Sequence, residues 1–248
     1  MNQRLKCTVS YDGTQFNGFQ RQLKGRTIQG EIEKALSKIH KNPIEIHASG
    51  RTDARVHALN QVFHFDSNLE IDNNNWKRAI NTLLPRDIYV KTVDKVDENF
   101  HARYQVTSKE YRYYLSMGEY NPLKANYIYQ YNRQLNIESM NEAIQLFKGT
   151  HDFIRFKSGN ERTNTVRTIY DVKINLLDDI LEIIFVGNGF LRYQVRVMVG
   201  TLIEVGANRR SIHTIKELLN LNKTIRAGKT ASPEGLYLYH VDYKDTED

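Results

Sequence analysis

Apolar residues at Leu5, Cys7, Val9 and Tyr11 alternate with polar ones, the two-residue period of a half-buried strand, and Asp12-Gly13 ends it. From Thr27 the period changes. Ile28, Ile32, Ala35, Leu36 and Ile39 recur at helical spacing, with Pro43 beyond the end. Ile44, Ile46 and Ala48 predict a short strand, a polar loop runs from Ser49, and a further strand covers roughly Asn60 to Asp66. A second helix carries Trp76, Ile80, Leu83 and Leu84 on one face and stops before Pro85. Ile88, Val90 and Thr92 then predict a closing strand. The order β-α-β-β-α-β is that of the split βαβ, or ferredoxin-like, unit.

The second half repeats this plan with additions. Tyr111, Tyr113 and Leu115 share one face of a strand whose other face holds Arg112 and Tyr114. Ile137, Met140, Ile144 and Phe147 mark a helix with Asn136 as its N-cap. Val172, Ile174 and Leu176, the Asp178-Asp179 turn, then Leu181, Ile183 and Phe185 predict a β-hairpin. Leu191, Val195, Met198, Val199 and Leu202 mark the next helix, Ile212 to Leu219 another, and Tyr237 to Tyr243 a last strand. The expected fold class is α+β, with two ferredoxin-like halves, residues 1–105 and 106–248, joined near residue 105.

Composition narrows the partners. The 248 residues include 35 Lys+Arg against 29 Asp+Glu, a net charge of +6, which suits a polyanion as well as it suits plain solvation. Fifteen tyrosines with ten phenylalanines and a single tryptophan are equally consistent with base stacking and with strand packing. One cysteine, Cys7, excludes an internal disulfide and any multi-thiolate metal site. No apolar run approaches ~18 residues and the N-terminal stretch lacks a signal-peptide core, so a cytoplasmic protein with no membrane segment is expected. Gly187-Asn188-Gly189 begins like a dinucleotide loop, but Arg192 stands where the third glycine belongs, and there is no phosphate-loop or H-E-x-x-H motif. His40, His47, His57 and His64 are scattered over strands and loops and read as structural or surface residues; no metal is implied.

The loop Gly50-Arg51-Thr52-Asp53-Ala54-Arg55-Val56-His57-Ala58 carries the most chemistry. It sets a carboxylate between two guanidinium groups, which favour its ionised form, available as nucleophile or base. The plainer reading is a capping Asp in a solvated basic loop. Arg196, on the helix expected from Leu191, falls at the border of the apolar stripe, where it either snorkels to water or reaches a carboxylate.

Several segments, in order, carry a resemblance. They are Tyr11-Asp12-Gly13-Thr14-Gln15-Phe16 with Gly18-Phe19-Gln20, Arg26-Thr27-Ile28-Gln29-Gly30-Glu31, Gly50-Arg51-Thr52-Asp53, and Phe100-His101-Ala102-Arg103. Lys109-Glu110-Tyr111-Arg112-Tyr113, His151-Asp152-Phe153, Gly189-Phe190-Leu191 with Val195-Arg196, and Ala231 through Leu238 follow. Over essentially its whole length the sequence resembles the tRNA pseudouridine synthase A family.

The resemblance implies the pseudouridine synthase fold, with a central, mostly antiparallel sheet and a cleft between the halves. It implies Asp53 as the catalytic aspartate, Tyr111 as the ring that packs on the target base, Arg196 as the ion-pair partner of Asp53, and Arg51 as a residue that helps displace the base. It further implies tRNA as substrate, the anticodon stem-loop (positions 38, 39 and 40) as target, no cofactor, and a homodimer with no other protein partner. Arg21, Lys24, Arg26, Arg192 and Arg209 are the expected phosphate contacts, with Arg55 beside them. Arg55 itself replaces a glycine usual in the family. If its backbone takes positive φ, the arginine costs on the order of 1–2 kcal/mol, and a slowed RNA-binding paralogue is the alternative to an active enzyme.

Overall fold

Strand β1 (Gln3–Tyr11) buries Leu5, Cys7, Val9 and Tyr11 on one face, as its alternation predicts. The computed structural model describes residues 3–159, 164–221 and 224–244. Helix α1 (Ile28–His40) starts at Thr27, whose side chain accepts the Gly30 N–H, and buries Ile28, Ile32, Ala35 and Leu36. Strand β2 is only His47–Ala48, and β3 runs longer than expected, His57–Ser67. Helix α2 (Asn73–Leu83) is capped by Asp72, which accepts from the Asn74 and Asn75 N–H groups, and β4 covers Ile88–Val96.

The chain divides into two compact units. Met1–Thr107 with Tyr237–Asp248 makes the first, and Ser108–Leu236 the second. In the first, β1 lies between β3 and β4, antiparallel to both, and β2 pairs antiparallel with β3, the ladder of a ferredoxin-like unit. The last strand, β10 (Leu236–Tyr243), which the sequence groups with the second half, pairs in parallel with β3 through Tyr237 and Leu238 opposite His57 and Ala58. The two-residue β2 pairs only with Phe63 and His64, near the other end of β3, so the long strand accommodates both.

The second unit contains β5 (Val106–Ser116), β6 (Tyr129–Gln130), α3 (Ile137–Gln145), β7 (Gly149–Asp152), β8 (Val166–Leu177), β9 (Ile180–Gly187), α4 (Gln194–Gly206) and α5 (His213–Leu219). Strands β5, β9, β8 and β7 pair in that order, all antiparallel, and β6 lies parallel to β5. Tyr113, Leu115, Ile183, Phe185, Phe147, Met198 and Leu202 form its core. The protein is thus mixed α+β with mostly antiparallel strand pairing. The short β6 and β7 carried no readable period.

Three expectations need correction. Leu83 is exposed, while Asn81 turns to the sheet and exchanges two 2.8 Å hydrogen bonds with the Val90 main chain. Thr92 is exposed and Val93 is buried: a register shift opposite Thr8 and Val9 inserts one residue into β4 and flips its alternation. Helix α4 begins at Gln194 rather than Leu191, since Tyr193 takes left-handed φ of 63° and interrupts the helix. Leu191 and Arg192 therefore lie in a preceding turn. That turn is closed by Gln194 N–H to Leu191 O (3.0 Å) and Leu191 N–H to Gln194 Oε1 (2.8 Å). Arg196 stands in the first turn of α4, and its angular position relative to Leu191 has no helical meaning.

Candidate active site

Asp53 sits half-buried on the loop that enters β3. The segment after β1 holds this loop in place. Phe19 N–H donates to Thr52 O (3.1 Å), Arg55 N–H donates to Phe16 O (3.2 Å), and the Tyr11 hydroxyl meets Thr52 Oγ1 at 2.8 Å in the interior. Burial pushes the Tyr11 hydroxyl pKa far up, so this contact is between neutral groups. Within the loop, Val56 N–H closes a turn onto Asp53 O (3.2 Å). Gly18 makes the close approach possible. Its φ is +93°, and a Cβ there would come within 2.9 Å of Thr52 O. Beneath the loop, buried His57 accepts the Gly13 N–H at Nδ1 (3.1 Å) and stacks on Tyr237 with ring centroids 4.7 Å apart. These bonds tie the main chain on both sides of Asp53.

The flanking basic residues differ. Arg51 is exposed. Arg55 is exposed too, and its φ of +64° meets the condition under which the sequence assigned it a backbone cost. Arg21 is largely exposed and pairs with the buried Glu33 carboxylate at 3.1 Å, while Lys24 is exposed with no ion-pair partner among the described residues. Arg21, Arg26 and Lys34 border an open depression of about 170 Å³. Arg26 is committed elsewhere: its guanidinium makes a forked pair with Asp87 (2.6 and 2.9 Å), reaches Glu31 (2.9 Å), and lies over the Phe16 ring at 4.2 Å. The hydrogen bonds to Asp87 raise its pKa further. It braces the segment that carries Phe16 and Phe19.

The remaining candidates belong to the second unit. Tyr111 is buried on β5 opposite Phe185, and the Phe190 ring meets it edge-on at 5.2 Å and 84°. Arg196 is half-buried; its Nε donates to Ala231 O (2.8 Å) while its own carbonyl accepts the Ala231 N–H (3.0 Å). The guanidinium groups of Arg192 and Arg196 each lie 5.1 Å from the Tyr193 ring centre. Arg209 is exposed and donates to the Tyr131 hydroxyl (2.8 Å). Phe190 thus links Tyr111 to the turn that leads into Arg196. The sequence missed Phe190 and Tyr193 as supports, because the interrupted helix start that brings them there rests on one left-handed residue. Among the described residues no group of three or more His, Cys, Asp or Glu is arranged to hold a metal ion. No helix is long and apolar enough to cross a membrane, among the described residues.

Comparison with known proteins follows the same lines. The family pattern described as tRNA pseudouridine synthase matches residues 8–105 and 143–244. A Geobacillus protein named tRNA pseudouridine synthase A is 47% identical over 246 residues, covering 98% of this chain and 99% of its own length. One of the same name from Oceanobacillus iheyensis is 48% identical over 247 residues, 98% of each chain. A Bacillus cereus protein named tRNA pseudouridine synthase A 1 is 46% identical over 245 residues, 98% of this chain and 99% of its own. Among solved structures, a chain of a Cbf5-Nop10-Gar1 complex aligns at 13% identity and a TM-score of 0.34, over 96% of this chain and 59% of that one, too loosely to bear on the fold.

Proposed function

We propose that this chain, which belongs to the tRNA pseudouridine synthase family and isomerises uridine to pseudouridine in tRNA, acts through the Asp53 carboxylate on uridines of the anticodon stem-loop. The reaction breaks the bond from uracil N1 to the ribose C1′, turns the base, and joins C1′ to C5, with the C5 proton leaving and one returning to N1. No electrons are gained or lost and no group enters, so the chemistry calls for no cofactor.

Asp53 supplies the anion, by attack on the sugar or base or by taking a proton in a glycal route. The observation that supports it is the turn around Asp53, tied by Phe19 N–H to Thr52 O and Arg55 N–H to Phe16 O. Fixing the carboxylate before substrate arrives lowers the entropic part of the barrier. The base must leave its stack first, at a cost of a few kcal/mol. Tyr111 is the proposed ring that receives it, Arg51 the side chain that helps displace it, and Arg196 the cation that sustains the Asp53 charge. A homodimer, which the family resemblance implies, and a cytoplasmic location, expected from the sequence, are part of the same proposal.

The test is tritium release from 5-tritiated uridine in unmodified tRNA, with the anticodon-stem uridines replaced one at a time. Wild type should release label, and the Asp53→Asn variant should bind tRNA yet release none. Substantial turnover by a verified, uncontaminated Asp53→Asn preparation would remove Asp53 from the mechanism. Release undiminished by every anticodon-stem replacement would remove that target.

A further inference from the structure

Gly187-Asn188-Gly189, no dinucleotide loop, has a definite structural role. The Asn188 side chain accepts the Thr168 N–H through Oδ1 (3.0 Å), and its own N–H donates to Thr168 O (3.0 Å), extending the β8–β9 ladder beyond Gly187. Gly187 must be small there, since a Cβ would lie 2.7 Å from Thr168 O. The turn therefore crosses the start of β8, and a Cβ added to Gly189 would lie 3.9 Å from Arg167 Nε.

Arg167 is unusual in its surroundings. Its side chain is partly buried, and desolvation pulls its pKa down. Its hydrogen bonds run from a single nitrogen, Nη1, to the carbonyls of Asn164 (2.8 Å) and Val166 (2.6 Å). No carboxylate among the described residues pairs with it, whereas Arg4, Arg21, Arg26, Arg112 and Arg210 each have one. A desolvated cation is ordinarily matched by an anion. The carbonyl contacts orient the planar fork, while its remaining donors, Nε and Nη2, make no hydrogen bond among the described residues. Across the same turn, Arg192 is exposed, with Nη1 3.9 Å from the position of a Cβ on Gly159, and Ser158 N–H donates to Arg192 O (3.2 Å). The turn from Gly189 to Tyr193 thus bears Arg192 and passes close to Arg167, immediately before the helix that bears Arg196.

We propose that Arg167 is a tRNA-binding residue whose counter-ion is a phosphodiester oxygen of the substrate backbone. This rests on the tRNA reading above. Arg167 holds the polynucleotide, takes no part in bond making, and belongs with binding that is equal in ground and transition states.

The experiment measures tRNA affinity of the full-length protein at several salt concentrations, single-turnover rate at saturating enzyme, and melting temperature. Wild type, Arg167→Gln and Arg167→Lys are compared. Arg167→Gln should weaken binding several-fold and make the log–log salt slope less negative by about one unit. Its saturated rate should stay near wild type. Arg167→Lys, which keeps the charge, should retain the slope. A wild-type slope and affinity in Arg167→Gln overturns the proposal, and so does a lowered melting temperature with an unchanged slope, which marks a structural strap. Where Arg167→Gln does not fold, a slope reduced by one unit in Arg167→Lys overturns it instead. Salt-insensitive or absent tRNA binding by wild type would defeat the tRNA reading itself, which is a separate result.

Discussion

Replacing Arg55 by glycine should stabilise this protein even though it deletes a charged side chain from the active loop. Arg55 holds φ at +64°, and its backbone N–H bond to Phe16 O, 3.2 Å long, survives in glycine. A residue with a Cβ in the left-handed region carries about 1–2 kcal/mol of strain. Glycine relieves that but gives back about 0.5–1 kcal/mol through the greater freedom of the unfolded chain. The net gain is about 0.5–1 kcal/mol, or roughly 1–4 °C in Tm for a chain of this size. Urea unfolding should show a higher midpoint with an unchanged slope. Arg55→Ala is the control: it removes the guanidinium and keeps the Cβ, so it should stay within about 0.5 kcal/mol of wild type. Both variants should make the salt slope of tRNA binding less negative by about one unit if the exposed guanidinium meets a phosphate. Turning inward to a carboxylate would instead cost it desolvation. A glycine variant less stable than wild type, or an alanine variant as stabilised as glycine, would refute the strain argument. A faster Arg55→Gly with unchanged affinity would show that the arginine slows the chemistry and holds no phosphate.

The other expectations are simpler. Tyr111→Phe should keep the edge contact with Phe190 and nearly wild-type tRNA affinity while slowing the steps after base detachment, because it loses only a hydroxyl able to move a proton. Tyr111→Leu should lose ring and rate together, and wild-type turnover in that variant would reduce Tyr111 to a packing residue. Stability should fall as pH drops from 6.5 toward 4. Burial, with Arg4, His101 and His47 nearby, lowers the His64 pKa to about 4, and His64 Nδ1 accepts the Ala102 N–H at 3.1 Å. The unfolded chain binds that proton near pH 6.5, so in this window unfolding takes up protons and acid favours it. The loss should be about 2 kcal/mol after allowance for screening. His64→Gln should flatten the stability profile between pH 4 and 6.5; a wild-type slope there would place the proton uptake elsewhere.

What the sequence revealed and what it hid separate along a physical line. Hydrophobic period located most elements because burying one face of a strand or helix is decided residue by residue, as in β1 and α1. It failed where a partner far along the chain decides. An inserted residue opposite Thr8 and Val9 turned Thr92 outward. Arg26 shows the same limit for charge: nothing near it in sequence announces that Asp87 will take both arms of its guanidinium. At Arg167 the limit runs the other way, since the informative fact is that no carboxylate among the described residues reaches it, and only the folded second unit reveals that.

The legibility of Asp53 has a different source. Tyr11 through Phe19 and Gly50 through Asp53 look like two weak motifs separated by a helix and a strand. In the structure they are one object. Tyr11 and Phe19 bond to Thr52, Phe16 to Arg55, and Gly18 is small so that the two segments touch. Arg26, lying over Phe16 and anchored on Asp87, fixes the outer segment to the sheet end where β4 begins. A substitution in the first motif should therefore act on Asp53 with no contact to substrate. The position of the carboxylate depends on backbone approach distances of about 3 Å, and a Cβ at Gly18 meets one of them at 2.9 Å.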